Sequence, residues 1–418
     1  MSFDDQVMAP KIGYLDSLRG IAAFVVVLYH FAFSFYPAIL GIGGSNYVLG
    51  FESLIYATPI NVLLNGRFAV FVFFVLSGYV LTYRFFATGD QSILRSGAVR
   101  RYFRLLPPVL VSLLCTFIVI VAFSGYINAM FGMTGNDHLK SYFEQPPDLL
   151  NILRQAFWGS FFDGSVAYNQ VLWTMGVEFI GSMLVFGMAA LIGKTPNRWV
   201  FYLVAGLFLL NTYYLPFVLG MLLADIYNGE RRGDFAIGTG PILLFVLGVG
   251  LFLGSFSDIR SYDEIFNYLV IGQLVNPDMF FHSVGAFLLL MALLNSPRLQ
   301  ALMSCKPLVF LGKISFSMYL MHEIVFGTFA TVLFLVLLNI IHLSYFTALA
   351  IALPLSLIVV LGVSWLIYKY IDSNGIELSK TIYETYFTVG QRPEPPSPEV
   401  NAVDRPSSLS ERSSSGIR

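Results

Sequence analysis

The sequence predicts an all-α, polytopic membrane protein of about ten transmembrane helices, and three observations carry that prediction. Hydrophobic residues make up 56% of the 418 and charged residues only 12%, against about 25% charged in soluble domains. The apolar residues gather in runs close to the roughly 20 residues that a helix needs to cross a bilayer. Lys and Arg flank those runs unequally on the two sides, as the positive-inside rule requires of a membrane protein.

In chain order the runs cover residues 19–39, 66–86, 105–127, 171–193, 236–256, 277–295, 315–341 and 345–371. Residues 199–227 are interrupted by NTYYLP, a turn sequence, so they form either a tight pair of short helices or one re-entrant element. Counting the pair gives ten helices. With the N-terminus inside, fifteen Lys and Arg flank the inner ends, against Arg67, Lys140, Arg154 and Arg260 outside. The bias predicts that both termini are cytoplasmic, and the cell membrane is the expected location. MSFDDQVMAPK lacks the basic start and cleavage site of a secretory signal, so the first run is expected to remain as a helix.

Between the third and fourth runs, residues 128–169 form the largest outer loop, in which NILRQAFWGSFF has the spacing of a helix lying at the outer interface. After the last run the composition shifts to Pro and Ser, in GQRPEPPSPEV and SSLSERSSSGIR. Residues 1–387 therefore read as one membrane-embedded unit and 388–418 as a disordered cytoplasmic tail. A net charge of −1, with no basic tract interleaved with aromatics, argues against nucleic acid as a partner. Cys115 and Cys305 have no metal-ligand spacing, so neither a disulfide framework nor a metal site is expected.

The polar residues inside the apolar runs carry the chemistry. LDSLRGIAAFVVVLYHF holds Arg19 and, eleven positions on, His30. Eleven helical steps come to about 16 Å of rise and only about 20° of net rotation, so both side chains point the same way. An ionisable side chain held at mid-depth is costly and is retained for function, and the spacing suits a long substrate with a charged head. Taken singly, Arg19 is either an anion grip or a snorkelling anchor, and His30 either a base or a hydrogen-bonded bundle histidine. Glu178, five residues after Trp173, either supports His30 or forms a structural ion pair. His322, followed by Glu323, binds a substrate or packs. Arg100, Arg101 and Arg104 bind phosphate or anchor the inner face. Ser77 and Tyr79, flanking Gly78, line a site or allow close helix packing. GVGLFLG at 248–254 lacks the strand and helix of a dinucleotide site, and His138, His282 and His342 are too dispersed for a metal.

Five segments in order resemble the family 3 membrane acyltransferases, from about Tyr14 to Asp372: LDSLRGIAAFVVVLYH, RFAVFVFFVLSGYVLTYRF, RRYFRLLPP, LWTMGVEF and LGKISFSMYLMHEIVF. The resemblance implies a ten-helix enzyme that moves an acyl group, acetyl foremost, from cytosolic acyl-CoA to a hydroxyl of a carbohydrate or other small acceptor. It makes Arg19 and His30 the essential pair. The chain departs from the family pattern at Ser17, Thr174 and Phe179, and the last removes the second acidic position of the tryptophan element.

On this reading His30 is the general base and Glu178 its partner. Arg19, Arg100, Arg101 and Arg104 hold CoA phosphates, and Trp173, His322, Ser77 and Tyr79 contact substrate. An extended pantetheine arm matches the Arg19–His30 separation in order of length. The lipid bilayer, acyl-CoA and the hydroxylated acceptor are the expected partners. The rival is a proton-coupled transporter in which His30, Glu178 and His322 form a relay.

Overall fold

A computed structural model describes residues 13–42, 48–134, 145–229, 240–257 and 275–388. Among them there is no strand. The ten principal helices are α1 Gly13–Phe35, α2 Gly66–Thr88, α3 Gln91–Thr134, α4 Trp173–Ile192, α5 Arg198–Phe208, α6 Leu215–Asn228, α7 Pro241–Gly254, α8 Pro277–Asn295, α9 Lys306–Val325 and α10 Tyr345–Ile367. Seven of the described helical stretches are long and apolar enough to span a membrane, and α5, α6 and α7 are shorter apolar helices. The turn at NTYYLP separates α5 from α6, so 199–227 is the pair of short helices, not a single element.

Two helices are continued through π-helical turns, and of these only α10 runs past its expected end at residue 371. A π-helical turn, Phe326–Ala330, carries α9 into Thr331–Asn339, and another, Tyr368–Asp372, carries α10 into α11, Ser373–Tyr386. α11 packs back along the start of α3, where Gly375 sits close to Pro107 and the carbonyl of Arg104. The tail expectation for 388–418 falls, apart from residue 388, outside the described residues, as do residues 135–144 of the large loop.

The described part of that loop corrects its placement. Asp148 caps Leu149–Arg154 by accepting from the backbone N–H groups of Leu150 and Asn151, and the chain continues as a π-helical segment, Gln155–Asp163. This segment does not lie flat on the outer interface. Its Phe157 carbonyl accepts a 2.7 Å bond from Tyr102, which belongs to the basic RRYFR element expected at the opposite face. Phe161 is fully buried against Tyr102 and Phe179, while Phe157 and Trp158 remain exposed. The segment inserts between α3 and α4 because its apolar residues find partners there.

α1, α2 and α9 form the centre, with α1 packed on both α2 and α9. α2 and α6 approach until a side chain at Gly78 would strike the Phe217 carbonyl and one at Gly220 the Val75 carbonyl. Only glycine fits at such a backbone contact, which gives Gly78 its packing role. Beyond α1, the Tyr36 hydroxyl donates to Glu52 at 2.5 Å, and the Leu49 and Gly50 N–H groups donate to the same carboxylate. These donors, Tyr36 foremost, hold the Glu52 carboxyl down at about 2.

Candidate active site

α1 delivers Asp16, Arg19 and His30 along one helix. Its lower half meets α9 where Gly20 and Gly312 allow backbone contact, and a Cβ at Gly20 would lie 2.5 Å from the Gly312 nitrogen. That contact brings the Arg19 turn beside the Lys313 turn. A cavity of about 320 Å³ opens there, bounded by α1, α2, α3, α4, α9 and the π-helical turn after α10. Four cations line it, Arg19, Arg101, Arg104 and Lys313, with three carboxylates, Asp16, Glu178 and Asp372. Its remaining walls are mostly apolar, with Val70, Phe73, Phe74, Leu105, Met175 and Phe316 among them.

Two of the cations are already neutralised. Arg19 Nη1 lies 3.4 Å from Asp16 Oδ1 on the preceding turn, and Arg101 pairs with Glu178, which also accepts from Ser77 Oγ at 2.6 Å. Among the described residues Arg104 and Lys313 form no ion pair. They are the charges most available to an anionic ligand, and both sit at the wall that holds Arg19.

A second polar centre lies further along α1 and α9. His322 Nδ1 is 3.1 Å from the Met318 carbonyl, and its Nε2 is 3.0 Å from His30 Nδ1. A carbonyl only accepts, so His322 carries its proton on Nδ1 and, when neutral, accepts at Nε2. His30 Nδ1 is then the donor, which leaves His30 Nε2 as the atom that exchanges protons. Glu323 Oε1 stands 3.6 Å from that Nε2. His322 is fully buried and Glu323 nearly so, whereas the His30 side chain is 17% exposed. The arrangement sets two imidazoles and a carboxylate in contact, with the His30 ring the most exposed of the three.

The three ligand atoms of this cluster lie within 4.8 Å of one another, a separation that a metal ion also tolerates. Two imidazoles and a carboxylate suit a first-row transition ion. The 3.0 Å contact between the rings is a hydrogen bond, which a shared ion would have to displace.

Tyr319 stands between the two centres. Its ring lines the cavity and lies 6.0 Å from the His322 ring, centroid to centroid. Its hydroxyl donates to the Val171 carbonyl at 2.9 Å and accepts from Thr174 at 3.0 Å. His30 and His322 are not among the residues that line the cavity.

The placement of the expected site residues divides accordingly. Arg19, Arg101, Arg104, Ser77 and Glu178 meet in the cavity, and His30 meets His322. Glu178 does not approach His30 in the way that sequence suggested; it is held by Arg101 and Ser77, and Glu323 occupies the position beside the imidazole. Arg100 turns away from the cavity, its Nε 3.5 Å from Ser379 Oγ on α11. Tyr79 is buried, accepts from Asn228 at 3.2 Å and stacks on Tyr83. Trp173 packs on Tyr213 at 4.9 Å and does not line the cavity. Sequence reasoning gave no role to Lys313, Asp372 or Thr174 and mentioned Glu323 only beside His322.

Residues 12–369 match a family described as an acyltransferase domain. A curated relative, the O-acetyltransferase PaAT-1 of Phomopsis amygdali, is 25% identical over 453 residues, which cover 93% of this chain and 88% of the relative. No solved structure matches the chain. A family match over nearly the whole chain, on a bundle of apolar helices with a buried cationic cavity, makes this protein a member of the family 3 acyltransferases and a membrane-embedded acyl-transferring enzyme.

Proposed function

We propose that the protein is a membrane O-acyltransferase that takes an acetyl group from cytosolic acetyl-CoA and places it on a hydroxyl of a carbohydrate or other small acceptor. The observation that carries this reading is the pairing of a cationic cavity with an accessible imidazole on the same two helices, α1 and α9. Arg104 and Lys313, with Arg19 and Arg101 behind them, hold the phosphates of the donor. The apolar walls take its arm, and the thioester lies toward Tyr319. O-acetyl transfer is also what the name of the fungal relative states.

His30 Nε2 removes the proton from the acceptor hydroxyl as its oxygen attacks the thioester carbon. The carbon–sulfur bond then breaks, CoA thiolate leaves, and the thiolate takes the proton back from the imidazolium. Glu323 stabilises that imidazolium, and His322 fixes the ring by accepting from Nδ1. In this reading Glu178 is a structural partner of Arg101. Both termini lie in the cytoplasm, and the enzyme resides in the cell membrane.

The test is CoA release by purified protein in lipid nanodiscs, given acetyl-CoA and a panel of sugars and polyols. Acceptor-dependent thiol release that His30→Ala abolishes is the expected result. Proton-driven solute uptake into liposomes with no thiol release would replace this reading with that of a transporter.

A further inference from the structure

Two residues that line the cavity each carry a buried polar atom with no hydrogen-bond partner among the described residues. Arg101, 8% exposed, gives a terminal nitrogen to Glu178, but its Nε–H has no hydrogen-bond partner among the described residues. Asp372, 5% exposed, has the same deficit at Oδ1. Buried polar groups without partners are rare in folded proteins, and each asks for an explanation. Arg101 belongs to α3 and Asp372 to the π-helical turn after α10. These elements pack together, and both residues line the one cavity.

The pair specifies a ligand group by its chemistry. One leftover donor and one leftover acceptor complement a group that offers one carbonyl and one N–H. Phosphate has no donor when fully ionised, and the Asp372 carboxylate repels it. Leu105, Met175 and Phe316, which line the same cavity, suit methylenes more than the crowded hydroxyls of a sugar.

We propose that Arg101 and Asp372 recognise the secondary amides of the pantetheine arm, Arg101 Nε–H donating to an amide carbonyl and Asp372 Oδ1 accepting from an amide N–H. This deepens the acetyl-CoA reading and rests on it. It makes Asp372 and the Nε–H of Arg101 determinants of donor specificity, a role distinct from the attraction of the cavity's charges for phosphate and from the imidazole that moves the proton. A thioester without amides leaves both atoms unpaired, and such a site rejects an analogue that lacks the matching polar group.

The experiment compares three donors with the full-length protein in nanodiscs: acetyl-CoA, S-acetylpantetheine and S-acetylpropanethiol. Asp372→Ala is expected to raise the KM of the first two by about tenfold, the usual cost of one buried hydrogen bond. It should leave S-acetylpropanethiol and the acceptor KM unchanged. Asp372→Asn keeps an oxygen acceptor and should stay within about threefold of wild type. Arg101→Lys keeps the charge opposite Glu178 but removes Nε–H, and should raise the same two donor KM values. Unfolding midpoints confirm that each variant is folded.

Equal losses for the Ala and Asn variants, the same penalty with the amide-free thioester, or a change confined to the acceptor KM would overturn the assignment. Wild-type protein that neither binds CoA in calorimetry nor releases it from acetyl-CoA would instead overturn the donor reading beneath it.

Discussion

The two ends of α1 solve different problems with polar residues. Around Arg19 the helix borders a chamber of about 320 Å³ with four cations and three carboxylates on its wall. Around His30, which does not line that chamber, two imidazoles and a carboxylate bring their ligand atoms within 4.8 Å of one another. The first region holds charges that are partly paired and partly left over. The second sets donors and acceptors in register around one partly exposed ring. Tyr319, hydrogen-bonded at its hydroxyl and in contact with both regions, keeps them distinct.

That division predicts that binding and chemistry separate under mutation. The largest effect is expected from His30→Ala, because removal of a positioned general base typically costs about 10²–10⁴ in rate. Steady-state kinetics should show that loss in kcat, with CoA affinity in calorimetry within about twofold of wild type, since no cavity contact is touched. A parallel loss of CoA binding would mean that the two regions are one.

Glu323→Gln should come next. It leaves the ring held by His322 but removes the charge beside the imidazolium, so kcat should fall on the order of 10²-fold with donor KM unchanged, less than for a triad carboxylate that holds its histidine alone. An effect confined to KM would reassign Glu323 to substrate contact.

The cavity should respond in the opposite sense. Arg104→Ala and Lys313→Ala are each expected to raise the acetyl-CoA KM by about five- to tenfold, typical of one lost charge-assisted contact, with kcat nearly unchanged. The wild-type KM should rise with ionic strength, and the double variant should lose most of that dependence. Arg19, already paired with Asp16, should show a smaller salt dependence than either.

The division was only half legible in the sequence. Arg19 and His30 were readable because a helix repeats, and eleven residues return a side chain to nearly the same face. The same arithmetic separates Ser77 from Tyr79, about 200° apart. It does not separate Arg100 from Arg104, which are four residues apart and share a face; what draws Arg100 away from the cavity is Ser379 on α11, a contact that no local spacing contains.

Other features are absent from any local pattern. His30 meets His322 across 292 residues of chain, and Glu178 finds Arg101 rather than His30 because of how α4 sits between α2 and α3. Lys313 is only one of the fifteen cations counted at the inner ends, and Asp372 only the end of a resemblance, until the close approach of Gly20 and Gly312 and the π-helical turn after α10 bring them to one cavity.

A third region, beyond the His30 end of α1, supplies the control with the smallest effect. Tyr36, six residues after His30, donates to Glu52, and that carboxyl is lowered from about 4.5 to about 2 by this bond and by the backbone N–H groups of the loop. A depressed carboxyl stabilises the folded form above its unfolded value and loses that contribution as pH falls through the folded one. The latch should therefore hold at neutral pH and release between about pH 4.5 and 2. Hydrogen exchange of residues 48–56 should rise across that window in wild type, while Glu52→Gln should show the faster exchange already at pH 7. At pH 7 the same variant should leave kcat and both KM values unchanged, since neither the cavity nor the imidazole pair touches the latch. A fall in kcat without a change in donor KM would show that the end of α1 positions the His30 ring, and would move the boundary between the two regions one helical turn further out.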